Sequence, residues 1–339
     1  VKSFLFTVIS LLFVSACHYS NLQSQQIYEL DASKSLMGTE FTITANSSDI
    51  DKCKKAMYYA LKEVERIDRI LGLEHDSSEV NKINSSAGLK PVKVSAETFD
   101  IIKRSIEYSK KYDGIFDVTI GPISDIWGFN TNPPLKDNPD KSIVDSLIKF
   151  VNYNKIILNE QDTSVFLQEA PMRLDLGGIG KGYAIDRAVY IMKQNGMNSF
   201  LISGGGDIYV CGYKFENQKW SVGIKHPRED EKLIGKIEAV DEAIGTSGDY
   251  ERYRIIDGIR YHHIFDIKTG FPSLSSQSAT SIAPTAEEAV VLSKYIFILG
   301  YEKFNSIKDT KGIEGLVIDA EGNVRYDTNF AKKYGLVLF

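Results

Sequence analysis

Cysteine is scarce in this chain: Cys17, Cys53 and Cys211 are the only three in 339 residues. None forms a CxxC pair, and three are too few for a disulfide framework. Five histidines give no HExxH, so zinc hydrolase, thiol-redox and cysteine-ligated cluster chemistry have no starting motif. Proline is equally sparse, at 9 residues, and there is no internal repeat, low-complexity tract or long Gly/Ser linker. Charge of one sign is not in excess either, since 40 Lys and Arg against 45 Asp and Glu leave −5. That balance is too mildly acidic to suggest a nucleic-acid surface, and no nucleic-acid partner is expected. What remains is 43% hydrophobic and 25% charged residues, the composition of a globular protein long enough for one large or two ordinary domains and for a core that needs no disulfide.

Only one long apolar run occurs, Phe4 to Val14, after the single charge of Lys2. It is too short for a stop-transfer helix and fits a signal-peptide core. Val14-Ser15-Ala16-Cys17 resembles a bacterial lipobox, with plain secretion and an incidental cysteine as the alternative. The expectation is a signal peptide over 1–16, a lipidated tether over 17–30 and a folded body over 31–339. That body would lie outside the cytoplasm, on the periplasmic side in a diderm bacterium, held to the membrane by a lipid on Cys17. Cys53 and Cys211 could pair in that compartment, but two buried free thiols are expected.

Periodicity in the body mixes helices and strands without regular βαβ alternation, which reads as α+β. Leu36 to Thr44 ends in strand-like alternation, and Met57, Leu61, Val64, Ile67 and Leu71 recur at helical spacing. Ser95 should cap a helix that Asp113-Gly114 stops. Ala184, Ile185, Ala188, Val189 and Met192 mark another helix face ending at Asn195-Gly196, and Asn132 to Asn138 reads as a loop. Strands are expected over 199–203, 208–212, 220–224, 233–240, 262–267 and 279–282. Thr285 and Glu288 form a capping box for a helix stopped by Gly300.

Several segments carry chemistry, each with a plain structural alternative. Asp175 to Gly182 (DLGGIGKG) is neither a P-loop nor a dinucleotide fingerprint, because its glycines have the wrong spacing. It can still be an anion-receiving turn with Lys181 supplying charge, or an ordinary helix start. Ile115-Phe116-Asp117 with Trp127-Gly128-Phe129 could enclose a planar ring or simply pack its own aromatics. Ser203-Gly-Gly-Gly-Asp207 allows close backbone approach. His262-His263 with Asp266 is the most reactive stretch: histidine titrates near neutrality and a carboxylate three residues on could orient it. On a strand the two rings face opposite sides, so at most one serves a given site.

In order along the chain stand MGT (37–39), SSEVNKIN (77–84), GIFDVTIGP (114–122), WGF, DLGGIGKGYAID (175–186), SGGGD, TSGDYERY (246–253), HHIFDIKTGFP (262–272) and APTAEEA (283–289). This ordered set resembles the ApbE family of bacterial flavin transferases. The resemblance implies an interleaved α+β unit that binds FAD, cleaves its pyrophosphate with Mg²⁺ and transfers FMN to a Ser or Thr hydroxyl of acceptor flavoproteins in a membrane redox system. It also implies flavin-nucleotide contacts at Met37, Ile115, Phe116, Asp117, Asp175, Lys181 and Phe265. Proton transfer is implied at His263, with Asp266 in its motif, and a metal-facing carbonyl at Gly178.

The pattern is broken in two places. Where relatives carry an Asp and a Thr that help hold the metal, this chain has Val290 and Lys294, with Ser293 as a poor substitute ligand. Valine offers no oxygen and an ammonium repels a divalent cation. Lys294 could replace the metal, other groups could recruit it, or the protein could bind FAD without transferring FMN; FAD pyrophosphatase activity is a further alternative. The second break is Glu74, where many relatives place an aromatic wall.

Overall fold

A computed structural model of the chain describes residues 26–129, 131 and 135–339. The expected signal peptide, Cys17 and the tether through Gln25 lie outside the described residues, as do Asn130 and 132–134 of the polar loop.

An eight-stranded sheet organises the molecule. Its strands Tyr28–Leu36, Thr39–Ser47, Phe200–Gly204, Asp207–Cys211, Glu242–Gly248, Ser276–Ala283, Gly315–Asp319 and Val324–Tyr326 lie side by side in chain order, each antiparallel to its neighbours. Helices and smaller sheets are inserted between these strands, which is why the sequence shows no simple repeat. The first strand takes in Tyr28, Glu29 and Leu30, which the sequence reading places in the tether. Only Leu30, Ala32 and Leu36 of that strand are buried hydrophobics, so its alternation is too sparse to stand out.

Both faces of the sheet are covered, and the side-chain period of two divides them. Tyr209, Ala243, Ala279 and Val317 join a core with the helices, while their neighbours Val210, Ile244, Leu316 and Ile318 join a second core with Trp220, Val222, Ile237 and Phe330. The second face is closed by the three-stranded sheet of Trp220–Lys225, Leu233–Ala239 and Val337–Leu338. On the first face, helix Gly180–Gln194 packs between Ile50–Leu71 and Ala286–Leu299. Their approach needs glycine: a Cβ on Gly182 would lie 2.4 Å from the Ala286 carbonyl oxygen, and one on Gly245 would lie 2.4 Å from that of Ala289.

Most expected helix signals are used as written. Ser95 accepts from the Thr98 amide at the start of Ala96–Lys111, and the expected apolar face of Ile50–Leu71 is buried. The capping box at Thr285 is half formed. Thr285 accepts from the Glu288 amide at 3.3 Å, but the Glu288 carboxylate turns away to Lys111. Asp186 supplies the rest of the cap, taking the Ala286 and Glu287 amides at 2.8 and 2.9 Å. Burial pushes its carboxyl up to about 6, so it is ionised at pH 7.

The expected strand over 262–267 is broken in two. Strand Ile259–His262 ends where His262 Nδ1 accepts from the Ile264 amide at 3.2 Å, and Phe265–Asp266 then pairs with Phe271–Pro272. A local side-chain bond has displaced the ladder bond that would have continued the strand.

Asp186→Ala removes an ionic cap from the helix that carries Lys294. It should lower unfolding free energy by about 1–2 kcal/mol, measured by urea denaturation at pH 7; an unchanged midpoint would remove Asp186 from the cap.

Candidate functional site

One cavity draws residues from most of the inserted segments. Gly38 and Thr39, Ile115 to Asp117, Asp175, Gly177, Gly178 and Lys181 line one part of it; Gly205, Asp207, Thr246 to Gly248, Glu251, Arg252, His263 to Phe265 and Lys294 are among the residues that line the rest. Its empty volume, mouth included, is about 1350 Å³.

The floor is the turn after Asp175. Asp175 Oδ1 accepts from the Gly177 amide at 2.8 Å, which curls the glycines into a short 3-10 turn before helix Gly180–Gln194. The Asp175 amide donates to the Val118 carbonyl at 2.8 Å, fastening this turn to the Ile115-Phe116-Asp117 loop. That loop is held by Asp117, whose oxygens accept from the Thr119 amide (2.8 Å), the Thr119 hydroxyl (2.7 Å) and the Tyr153 amide (2.9 Å). Burial pushes its carboxyl up while these bonds favour the anion. Asp117 therefore borders the cavity as a loop organiser with its oxygens already engaged.

His263 lines the cavity, and its Nδ1 is buried without a hydrogen-bond partner. Burial, then the Lys181 charge, holds its ring well below the ordinary histidine range, so it is neutral at pH 7 and able to take a proton. Its neighbour faces away: the buried His262 ring joins the Ser273 carbonyl at 2.8 Å. Because His262 Nδ1 accepts from Ile264, Nε2 carries the hydrogen and donates to Ser273.

Two ammonium groups enter the same cavity. Lys181 comes from the first turn of its helix, and Lys294 Nζ donates to the Val290 carbonyl at 3.3 Å. Burial, then the charge of Lys181, pushes the Lys294 amine down to about 8, against the attraction of Asp207 and Asp175. Asp207 is buried and accepts from the Thr246 amide at 3.1 Å; burial pushes its carboxyl up and both lysines oppose this.

Some expected site residues are placed elsewhere. Asp266 does not orient His263: its Oδ1 accepts from the Lys268 amide at 2.9 Å in the tight turn that follows the strand break, and it does not line the cavity. Ser293 is not available as a ligand. Its buried hydroxyl bonds the Val290 carbonyl at 3.0 Å and the Ser247 hydroxyl at 2.9 Å. Met37 sits in a left-handed turn (φ 51°) whose amide donates to Asp68 Oδ2 at 3.0 Å. Its methyl would be 3.5 Å from a Cβ on Gly180, beside the cavity rather than in its lining. Ile115, Phe116, Asp175, Lys181, Phe265 and Gly178 do border the cavity.

Trp127 packs its own aromatics, lying 5.9 Å from Phe129 and 6.0 Å from Phe265 between ring centroids. Of these rings only Phe265 reaches the cavity, together with Phe116. No local pattern singles out Asp207, Thr246, Ser247 or Arg252 as site residues. Their SGGGD and TSGDYERY segments were the available signal, but only the sheet brings them to the glycine turn. Glu74 is not in the cavity wall; it forms with Asp68 and His75 the only trio of metal-capable groups among the described residues. Cys53 and Cys211 are free and buried, and burial pushes each thiol up to about 11.

Two ammonium groups, a glycine-rich backbone turn and a neutral imidazole lining one cavity define a site for an anionic substrate with a proton to be moved. The ApbE family profile matches residues 37–325, and the chain belongs to that family. It is 34% identical over 244 residues to the FAD:protein FMN transferase of Klebsiella pneumoniae (strain 342), covering 71% of this chain and 74% of that protein. The FAD:protein FMN transferase of Escherichia coli (strain K12) is 28% identical over 291 residues, 85% of this chain and 83% of that one. Among solved structures, the ApbE protein of Thermotoga maritima superposes with a TM-score of 0.83 at 31% identity, covering 91% of this chain and 99% of that one. The flavin transferase ApbE of Vibrio cholerae shares the fold, with a TM-score of 0.79 at 23% identity over 91% of this chain and 100% of that one.

Burial holds His262 at about 4, below its ordinary 6.5. The unfolded chain therefore takes up this proton first as pH falls, and stability is lost from about pH 6.5 downward. Between pH 7 and pH 5 the loss through this group should be about 2 kcal/mol. In His262→Gln, urea unfolding measured at the two pH values should show a gap smaller by that amount; an equal gap would clear His262 of the effect.

Proposed function

We propose that this protein transfers FMN from FAD to a Ser or Thr hydroxyl of an acceptor flavoprotein, releasing AMP. The observation that carries the reading is the neutral His263 ring in the same cavity as the Lys181 and Lys294 ammonium groups and the glycine turn. Both curated relatives named above are called FAD:protein FMN transferases, which favours transfer over simple flavin binding or FAD hydrolysis.

Each residue has a task in this reaction. Ile115, Phe116 and Phe265 provide apolar surface for the flavin end, and Asp117 keeps their loop in shape without contacting substrate through a free oxygen. The Asp175 turn presents glycine backbone to the pyrophosphate, where bulkier residues would intrude: a Cβ on Gly178 would lie 3.0 Å from Phe116 Cε2. The lysines oppose the charge on the phosphates. His263 accepts the proton of the acceptor hydroxyl as its oxygen attacks phosphorus. Water-poor surroundings keep the imidazole neutral until that moment.

Mg²⁺, implied by the resemblance, does not fit the residues at its expected place. Val290 is buried and has no side-chain oxygen, the Ser293 hydroxyl is engaged, and Lys294 runs its stem beside Gly178 with its ammonium on the Val290 carbonyl. A cation that wants about six oxygens in near-octahedral array finds too few there.

The lipobox-like Val14-Ser15-Ala16-Cys17 supports an extracytoplasmic lipoprotein that acts on subunits of a membrane redox system. Among the described residues no helix is long and apolar enough to cross a membrane.

Two outcomes check these statements. His263→Ala should lower the transfer rate by about 10²–10⁴-fold while FAD affinity, followed by flavin fluorescence, changes less than threefold; an unchanged rate would take His263 out of the mechanism. Cells fed labelled palmitate should label the wild-type chain and not Cys17→Ser, and equal labelling of the two would defeat the lipid anchor.

A further inference from the structure

We propose that Lys294, together with Lys181, takes over the pyrophosphate of FAD in this chain, so that FMN transfer proceeds without a divalent cation. The inference rests on the transferase reading above and concerns how that site handles charge.

Lys294 reaches into the cavity from the middle of helix Ala286–Leu299. Its stem runs against the glycine turn, with Cδ and Cε each 3.7 Å from where a Gly178 Cβ would be. One N–H of the ammonium is used on the Val290 carbonyl, which leaves two for a ligand. Neither Lys294 nor Lys181 forms an ion pair among the described residues, although Asp207 lines the same cavity. Asp207 attracts both ammonium groups without a direct ion pair, and two cations that repel each other in a partly buried site are further relieved when an anion sits between them. A pyrophosphate carries two negative charges and several acceptor oxygens, and the adjacent glycine turn admits it closely.

The same ammonium that favours the pyrophosphate opposes Mg²⁺ at the place beside Gly178, since like charges a few ångströms apart repel. The reaction balances without the metal. The acceptor oxygen bonds to the phosphorus that carries the riboflavin moiety, and the bond from that phosphorus to the bridging oxygen breaks. AMP leaves with the bridging oxygen and the electron pair, and the hydroxyl proton passes to His263. Lys181 and Lys294 stabilise the charge that gathers on the phosphoryl oxygens and the departing phosphate.

The test uses the full-length protein in detergent, stripped of metal, with FAD and a flavin-acceptor domain. Transfer is read as flavin fluorescence on the denatured acceptor band, and FAD affinity is read separately by fluorescence quenching. The proposal expects transfer rates within twofold in EDTA and in Mg²⁺, and an FAD affinity that Mg²⁺ leaves unchanged. Lys294→Met should weaken FAD binding in EDTA at least tenfold, and Lys294→Arg should restore most of it, with circular dichroism confirming that both variants are folded. Val290→Asp combined with Lys294→Thr should bind Mn²⁺, detected by its EPR signal, and should need a divalent cation for transfer. Transfer by the wild type in Mg²⁺ alone, or an FAD affinity in EDTA that is the same with and without the Lys294 ammonium, would overturn the proposal. Absence of transfer in both conditions would instead overturn the transferase reading and its metal-free step together, while the affinity comparison still decides whether Lys294 binds the pyrophosphate.

Discussion

Helix Ala286–Leu299 lies so close to strand Glu242–Gly248 that the strand can carry only glycine at 245. The cavity depends on that approach. It puts Ser293 in hydrogen-bonding contact with Ser247, fixes the helix rotation, and thereby points Lys294 at the glycine turn. A second close contact, Gly182 against Ala286, sets the helix bearing Lys181 beside it. The two ammonium groups of the site are thus positioned by backbone packing, with no ion pair of their own among the described residues.

The rest of the site is arranged around that frame by polar groups whose capacity is already used. Asp117 and Asp175 spend oxygens on loop amides, and Asp186 spends both of its oxygens on the helix that carries Lys294. His262 uses both ring nitrogens to hold the strand break in place. His263 stands apart, since its Nδ1 is buried and unpartnered. Buried polar atoms are ordinarily satisfied, so an unpartnered nitrogen on a ring that lines the cavity sets His263 apart from the engaged groups around it.

Much of this was legible in the sequence because the signals are local. Helix periodicity, the Ser95 cap and the turn glycines act within a few residues, so Ile50–Leu71 and Ala96–Lys111 fall where the pattern places them. The ordered motifs announced the fold and most of the cavity lining. Asp266 and Ser293 misled for a shared reason: each side chain satisfies a nearby group, the Lys268 amide or the Val290 carbonyl, and local bonding of that kind is invisible to motif position.

By itself the sequence determined the α+β class, the helix starts and stops, the order of the motifs and the presence of a lysine where an oxygen ligand was expected. These follow from residue chemistry and short-range periodicity. Tertiary structure alone decided that His263 and not His262 faces the cavity, that Asp207 and Thr246 join it, that Trp127 stays among its own aromatics, and that Lys294 points inward beside Gly178. Those outcomes require segments far apart in the chain to meet, and which side chains then share a cavity is set by sheet register and helix packing, which no local pattern encodes.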